Sequence, residues 1–305
     1  MLDRMGLLFR FQAIAEAGSV RKAAETLNIT QPALSRSLTQ LEQIYRQALF
    51  ERHARGVRLT SFGRRLLATI SRLARDWELA ELELANGDNS AEGILKLNAG
   101  PLWAAMVLPV VISQLHRTFP NLVVEISHHN GEAMLSALLE GRIDVQLGGL
   151  HKPERGGGQL IEHPFTAVHD RVVARATHPI HRRAPDDHRA LLDFPWIIYT
   201  ADEIYEAETL HTVVERTGTP PPVRIRSDSL IATLRLLQEG DYLCMLPDAA
   251  VTNVPGQPLK ATPIDLGRRV GPSGALYRKA IAGYPPLQEL LRLSALFFEG
   301  NSGRQ

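Results

Sequence analysis

One stretch decides the fold of the N-terminal region: Ser19-Val-Arg-Lys-Ala-Ala-Glu-Thr-Leu-Asn-Ile-Thr-Gln-Pro-Ala-Leu-Ser-Arg-Ser-Leu-Thr-Gln-Leu-Glu42. Gly18 and Ser19 form a stop-and-start signal, because Gly tolerates the left-handed residue after one helix and Ser caps the next. Asn28 suits a sharp turn, Thr30 is a good N-cap, and Pro32 falls in the first turn of a second helix. The pattern predicts two short helices joined by a tight turn.

The two helices have distinct faces. Ala23, Ala24 and Leu27 give the first a small apolar face, and Leu34, Leu38 and Leu41 recur at helical spacing in the second and must be buried. The opposite face of the second helix can bond to phosphates and base edges through Pro32, Arg36, Thr39 and Gln40, with Gln31 and Ser35 on its flanks. Spacing alone leaves two interpretations: a DNA-contacting helix, or a helical hairpin whose polar face meets water.

Several motifs in this region resemble those of a known family. They are Ala23-Ala-Glu-Thr-Leu, Gln31-Pro-Ala-Leu-Ser-Arg, Leu41-Glu, Leu49-Phe-Glu-Arg and Val57-Arg-Leu-Thr-Ser-Phe-Gly63. In order and spacing they are similar to the winged helix-turn-helix of the LysR-type transcriptional regulators. One departure is the pair Tyr45-Arg46, where the family usually carries Gly.

The resemblance implies that double-stranded DNA is a partner. The implied contacts on the helices are Ser19, Arg21, Thr30, Gln31, Pro32, Ser35, Arg36, Thr39 and Gln40. In the wing they are Arg52, Arg55 and Arg58, and we expect Arg55 to reach phosphate or the minor groove.

Charge is unevenly distributed along the chain. Residues 1–75 hold thirteen Lys/Arg against five Asp/Glu, a net +8, whereas residues 76–90 hold five acidic residues and no Lys or Arg. The net charge of the whole chain is only +1. A basic N-terminal head on a near-neutral body is consistent with phosphate contact by one module, although a solvated basic face without a partner is the alternative.

Composition narrows the class of protein further. A chain of 305 residues divides most naturally into two or three domains. Cys244 is the only cysteine and lies in an apolar run, so a buried structural thiol is favoured over a redox sensor. We find no signal-peptide pattern and no apolar stretch of membrane-spanning length, so we expect a cytoplasmic protein with no membrane partner.

A long helix is expected after the wing, capped by Thr60. Apolar residues recur in it with alternating spacings of four and three, as in a heptad seam: Leu66, Ile70, Leu73, Trp77, Ala80 and Leu84. The seam predicts a dimerisation helix, and packing of the helix on its own domain is the alternative. The polar, glycine-bearing stretch 87–93 is then a hinge.

Beyond residue 94, β-prone and helical runs alternate, which is the βαβ signature of a mostly parallel sheet. The region resembles the two-lobed, periplasmic-binding-protein-like (type II) effector domain of the same family, through looser motifs such as Leu138-Leu-Glu-Gly-Arg-Ile-Asp144. The α/β chain is therefore expected to comprise a winged helix-turn-helix (1–60), a linker helix (61–86), the hinge and an effector domain (94–305). Lobe I takes about 94–165 and 266–305, and lobe II about 166–265.

The family binds its effector between the lobes, on loops at strand ends and helix N-termini. The corresponding residues here are Gly100, Pro101, Leu102, Trp103, His128, His129, Asn130, Gly148, Gly149, Thr200, Ala201, Asp202, Ser227, Asp228 and Ser229. Gly100 replaces the hydroxyl residue common in the family. We therefore expect backbone N–H groups and the two histidines to contribute more to effector binding. For some of them structural roles are the alternative: Trp103 as core, Ser227 and Ser229 as helix caps, and Gly148-Gly149 as a strand end.

We find no catalytic constellation, no metal site and no cofactor motif. His178-x-x-His181 is interpreted as a surface turn, and Gly156-Gly-Gly158 as a loop. The resemblance implies a homodimer or homotetramer that binds a pseudo-palindromic promoter site, responds to a small metabolite and contacts RNA polymerase. The rival hypothesis is a ligand-binding or enzymatic α/β protein whose N-terminal head only oligomerises it; a lesser variant is a regulator that needs no effector.

Overall fold

The computed structural model describes residues 2–53, 56–85, 93–129, 131–150, 158–200, 203–251, 254–267 and 270–302. The chain divides into two compact units. One comprises Met1–Gly87 with Ser136–Ile143, and the other Asp88–Leu135 with Asp144–Gln305. No helix within the described ranges is long and apolar enough to cross a membrane.

The N-terminal head is a winged helix-turn-helix. Its helices are α1 (Leu2–Ala17), α2 (Val20–Thr26) and α3 (Gln31–Tyr45), followed by the strands β1 (Phe50–His53) and β2 (Gly56–Leu59) and the long helix α4 (Ser61–Ala85). The predicted caps are confirmed: the Ser19 Oγ accepts a hydrogen bond from Lys22 N, and the Thr30 Oγ1 accepts one from Ala33 N. Gly18 and Asn28 take the expected positive φ angles.

The apolar stripe of α3 forms much of the core of the head. Leu34 and Leu41 are fully buried, and Leu38 is half-buried against both clusters that they join. Ala23 and Ala24 of α2 pack against Leu34 as expected. Leu27 does not: it is the C-cap of α2 and its side chain is exposed, because the helix ends before that position can turn inward.

The turn after α3 departs from the usual glycine. Arg46 occupies the left-handed region at φ 52° and ψ 35°, and its N–H donates to the Gln43 carbonyl. The same helix end is tied to the wing, since the Glu42 Oε1 accepts a hydrogen bond from Leu49 N over 2.8 Å. A side chain with a Cβ strains this conformation, so the turn is stabilised by its surroundings rather than by Arg46.

The start of α4 fits closely against the wing. The Thr60 Oγ1 accepts a hydrogen bond from Gly63 N over 2.9 Å, which confirms the predicted cap. A Cβ on Gly63 would lie 2.2 Å from the Leu49 carbonyl oxygen, so only glycine allows this approach. The pairing of β1 with β2 is antiparallel, with Phe50 opposite Leu59.

The heptad seam of α4 separates into two parts. Ile70 is 4% exposed and packs with the half-buried Leu66 in the core of the head itself. Leu73, Trp77 and Leu84 are 48%, 61% and 82% exposed, and Ala80 is half-buried. The first two seam positions therefore serve the subunit's own core, while the later ones form an apolar stripe open to solvent. The predicted hinge lies outside the described residues except for Gly93.

Lobe I contains β3 (Gly93–Ala99), β4 (Leu122–Ser127) and β5 (Val145–Gly149), with β3 parallel to both of the others. A π-helical turn (Trp103–Val107) leads into α5 (Leu108–Thr118); α6 (Gly131–Leu139) and α9 (Pro285–Ser302) are the other helices. A buried ion pair joins Asp144 before β5 to Arg278, Oδ1 to Nη2 at 3.4 Å. The Asp144 Oδ2 also accepts a hydrogen bond from Lys96 N, so this pair holds three strands in register.

Two long antiparallel strands, β6 (Leu160–Arg175) and β11 (Val270–Arg278), join the lobes. Lobe II adds β7 (Trp196–Tyr199), β8 (Val223–Ser227), β9 (Cys244–Pro247) and β10 (Leu259–Ala261), with α7 (Glu203–Thr217) and α8 (Leu230–Glu239). β6 pairs with β9 and β10, and β7 lies beside β9 through a hydrogen bond from Ile197 N to Leu243 O. The architecture is the expected two-lobed α/β fold, although the sheet is mixed rather than mostly parallel.

His178 does not lie in a surface turn as predicted. It is buried, and its Nδ1 accepts a hydrogen bond from Ile180 N at the start of a 3-10 helix (Pro179–Arg182). Burial lowers the pKa of His178, against the opposing effect of the Asp241 carbonyl and carboxylate. The neutral imidazole is thus a buried structural cap.

We predict that Arg46→Gly raises the free energy of unfolding of the head by about 1 kcal/mol, because glycine has no Cβ to strain the left-handed turn. Urea denaturation of both proteins measures the change. Arg46→Ala is the control: it removes the same charge, keeps a Cβ and should give no such gain. Equal stabilities for the Gly and Ala variants would mean that the turn is not strained.

Candidate DNA-binding and effector-binding sites

The polar face of α3 is open to solvent. Pro32, Arg36, Thr39 and Gln40 are exposed, as is Gln31, and Ser35 is half-buried. The Thr39 hydroxyl donates to the Ser35 carbonyl over 3.1 Å, which leaves its oxygen as an acceptor facing outward. The buried stripe lies on the other side of the helix, so the face presented outward carries a guanidinium, an amide and a hydroxyl.

Several of the other predicted DNA contacts already take part in local structure. Ser19 and Thr30 are occupied as helix caps, although both are also at the surface. Arg21 is exposed and lies 3.5 Å from Glu25 in a solvated ion pair, and such pairs hold a side chain only weakly. In the wing, Arg58 is exposed. The Arg52 side chain and all of Arg55 lie outside the described residues.

Asn98 fixes the histidine loop in lobe I. Its Oδ1 accepts a hydrogen bond from His129 N at 2.6 Å, and its Nδ2 donates to His129 O at 3.0 Å and to the Gln146 Oε1. His128 is exposed, with its Nδ1 2.9 Å from Ala99 O, and His129 is half-buried. The sequence placed Asn98 at the start of the first predicted effector loop, but it gave no signal of these contacts with His129 and Gln146. Asn130 lies outside the described residues.

The loop after β3 divides between the cleft and the core. Gly100 N donates to Leu147 O at 2.8 Å, and the helix that starts at Pro101 follows a residue with no side chain to cap it. Leu102 packs against a hydrophobic cluster of lobe II that includes Val173, Tyr199 and Cys244. Leu102 is therefore an apolar contact between the two lobes.

Trp103 belongs to the interior of lobe I, which favours the structural alternative. It is buried, its Nε1 donates to the Ser273 Oγ at 2.8 Å, and its ring lies 5.3 Å from that of Phe298. Ser273 in turn donates to Gly148 O. Gly148 is buried at φ 154°, whereas Gly149 is exposed at the end of β5.

The serines of lobe II are occupied by local structure. The Ser229 Oγ accepts a hydrogen bond from Ala232 N as the cap of α8, and the Ser227 Oγ accepts one from Ser229 N. Thr200 N donates to Ser227 O, and Asp228 is exposed. Ala201 and Asp202 lie outside the described residues.

Tyr199 is a candidate site residue that the sequence did not reveal. It lies at the carboxyl end of β7, opposite Ser227 of β8 and beside the Tyr205 ring of α7. Its hydroxyl is buried without a hydrogen-bond partner, as is that of Thr233 in the first turns of α8. Burial raises the pKa of Tyr199, so the hydroxyl stays protonated and is a hydrogen-bond donor.

Cys244 is a buried thiol, as expected. Burial also raises its pKa, which keeps it protonated and unreactive. Among the described residues, no group of three or more His, Cys, Asp or Glu side chains is arranged to hold a metal ion.

Two family models match this chain. The one described as "Bacterial regulatory helix-turn-helix protein, lysR family" matches residues 6–64, and the one described as "LysR substrate binding domain" matches residues 88–295. The chain belongs to the LysR family. The HTH-type transcriptional regulator YdcI of Escherichia coli K12 is 29% identical over 249 residues, which cover 81% of this chain and 80% of YdcI.

Solved structures show the same fold. A full-length OxyR variant from Pseudomonas aeruginosa is 22% identical, with a TM-score of 0.70 over 96% of this chain and 97% of its own. Full-length CbnR complexed with its target DNA is 21% identical, with a TM-score of 0.51 over 95% and 99%. This LysR-family chain is a DNA-binding transcriptional regulator with an effector-binding domain, and the enzymatic alternative is rejected.

We predict that Tyr199→Phe leaves the ligand-free regulator as stable as the wild type or more stable, because removing an unpaired buried hydroxyl relieves a desolvation cost. Tyr205→Phe is the matched control: its hydroxyl donates to Met245 O at 3.3 Å, so its loss should cost about 1 kcal/mol. Urea denaturation compares the two variants. Equal destabilisation by both would show that the Tyr199 hydroxyl is already hydrogen-bonded in the free protein.

Proposed function

We propose that this LysR-family regulator binds a pseudo-palindromic promoter site as a homodimer, or as a homotetramer built from such dimers, with α3 of each subunit in the major groove. A small metabolite between the lobes of the effector domain shifts the assembly between states. The observation that carries the DNA part is the polar face of α3, which is held outward by burial of Leu34 and Leu41.

The major groove is the surface that this face fits. An α-helix enters the groove, where Arg makes bidentate contacts with guanine and Gln with adenine. Arg36 is exposed near the middle of the face, with Thr39 and Gln40 one turn further along the helix. The exposed Arg58 of the wing, and Arg52 and Arg55 beside it in sequence, would then neutralise phosphates.

The exposed stripe of α4 supports assembly of two subunits. Leu73, Trp77 and Leu84 lie on one side of the helix and expose about half or more of each side chain. Apolar side chains in a row at helical spacing mark an interaction surface, and the heptad spacing suits an identical helix. The proposed interface is therefore the Leu73–Leu84 part of the predicted seam, without Leu66 and Ile70.

The effector proposed for the cleft is a small anionic or polyhydroxylated metabolite. The N–H groups of the first turn after Gly100 have no intrahelical acceptor and favour anions, and His128 is exposed beside them in lobe I. Across the cleft the Tyr199 hydroxyl is a protonated donor without an acceptor. An effector with several oxygen acceptors would satisfy donors from both lobes.

We also propose that the protein is cytoplasmic, that it contacts RNA polymerase, and that its domains are bounded at residues 60, 86 and 93. An effector shifts the assembly only if it binds one state better than the other. Closure of the lobes around it would move Leu102, which connects them.

We predict that Arg36→Ala weakens binding to a duplex selected by the wild-type protein by roughly 1–3 kcal/mol, the value of one good bidentate contact. Fluorescence anisotropy measures the affinity. Arg36→Lys is the control for charge: it should keep affinity for a scrambled duplex and still lose most of the preference for the selected one. Unaltered affinity of a folded Arg36→Ala protein for the selected duplex would refute the assignment.

Leu73→Asp is predicted to dissociate the dimer, because it places an unpaired charge in a buried interface. Leu73→Ala should leave the dimer intact though weaker, since the seam stays apolar. Analytical ultracentrifugation distinguishes them. A fully dimeric and folded Leu73→Asp protein would place the interface elsewhere.

A further inference from the structure

A hydrogen bond links α1 to the recognition helix α3. The Arg10 Nη1 donates to the Ser37 Oγ over 2.7 Å, and the Ser37 hydroxyl donates in turn to Ala33 O at 3.1 Å. Ser37 is 5% exposed and directly follows Arg36. We propose that Arg10 is a positioning residue for DNA recognition: through Ser37 it fixes the rotation of α3 about its axis, and so aims Arg36 and Thr39 at the bases.

Most other contacts that hold α3 in the head are apolar. The apolar side chains of Leu34, Leu38, Leu41 and Ile44 pack α3 against the head, and apolar packing is non-directional. The hydrogen bond from Leu49 N to the Glu42 Oε1 ties only the C-terminal end of α3 to the wing. A hydrogen bond from a guanidinium is directional and stronger than a neutral one. The apolar stripe sets which side of α3 faces the head, and the Arg10–Ser37 bond narrows the rotation that this packing still allows near the middle of the helix.

A small rotation of α3 about its axis moves its side-chain tips by more than a hydrogen bond tolerates. A side-chain tip about 6 Å from the helix axis moves by about 2 Å when the helix rotates by about 20°. Donor–acceptor distances in good hydrogen bonds vary by only about 0.5 Å. A small rotation of α3 would thus break a bidentate contact by Arg36 while leaving the core of the head packed.

Ser37 lies in the right place for this role. Successive helical residues are 100° apart, so the Ser37 side chain points toward α1 when Arg36 points toward the groove. The side chain is buried between the two helices and offers one hydroxyl oxygen to Arg10. Arg10 is exposed beyond this bond, so a direct phosphate contact is the competing role that the experiment must exclude.

The experiment compares affinity for two duplexes, one selected from a random pool by the wild-type protein and one scrambled. Fluorescence anisotropy over a range of salt concentrations is applied to Arg10→Met, Ser37→Ala and the double variant. Arg4→Met is the control, since it removes an exposed cation from α1 without touching Ser37. Thermal unfolding confirms that each variant is folded.

We expect Arg10→Met and Ser37→Ala each to lower the ratio of selected to scrambled affinity by roughly 3- to 10-fold, a part of one base contact. The double variant should be no worse than Arg10→Met, because both changes break the same bond. The salt slope of Arg10→Met should equal that of Arg4→Met. Ser37→Ala keeps every charge and removes one oxygen, so it tests the proposal even if Arg10→Met fails to fold.

Two results would overturn the proposal. If Ser37→Ala leaves the ratio of selected to scrambled affinity unchanged, the Arg10–Ser37 bond does not orient α3 for DNA recognition. Equal losses on both duplexes in Arg10→Met, with a salt slope about one unit lower than in Arg4→Met, would make Arg10 a phosphate contact instead. The proposal rests on the major-groove role of α3, and the two failures are distinguishable: loss of that role would also abolish the Arg36→Ala effect.

Discussion

Burial of one side of α3 is the constraint on which the DNA-binding head depends. Leu34 and Leu41 are fully buried. Because they face the core, Arg36, Thr39 and Gln40 face outward. The features around α3 keep that orientation. Ser19 and Thr30 start the two helices, Asn28 makes the turn between them, and Glu42 ties the end of α3 to the wing.

The head also contains one strained backbone position and one very close backbone contact that this geometry requires. Arg46 takes a left-handed conformation that a glycine would adopt without strain, and α4 begins so close to β1 that only Gly63 fits. Both positions follow from joining α3, the wing and α4 within a few residues. In the effector domain the equivalent constraint is the pair of long strands β6 and β11, with Leu102 as an apolar contact between lobes.

The sequence predicted the head well because its signals are local. Caps, turn residues and apolar spacing all act within a few positions, and each was found where it was expected except at Leu27. The heptad of α4 predicted a dimerisation helix along its whole length, but Leu66 and Ile70 pack in the core of their own head, since spacing does not tell which subunit buries a given position. The sequence carries no clear strand signal in the first half of β6, because polar residues and Pro164 interrupt the β-prone pattern there.

The candidate effector site was less predictable from the sequence for a different reason. Asn98 contacts His129 and Gln146, and Tyr199 lies beside Ser227, so each role depends on a partner far away in the sequence. His178 became a buried cap for the same reason, since only the fold shows what covers it. The family resemblance indicated candidate loops for the effector, whereas the buried, unpaired hydroxyls of Tyr199 and Thr233 were revealed only by the structure.

Methylation of guanine N7 by dimethyl sulfate measures whether α3 lies in the major groove of DNA. N7 is a major-groove atom that arginine contacts. With the selected duplex, we expect protected guanines in two groups about one helical turn apart, as two symmetric recognition helices require. Tight binding to that duplex with every guanine N7 still reactive would contradict this placement of α3.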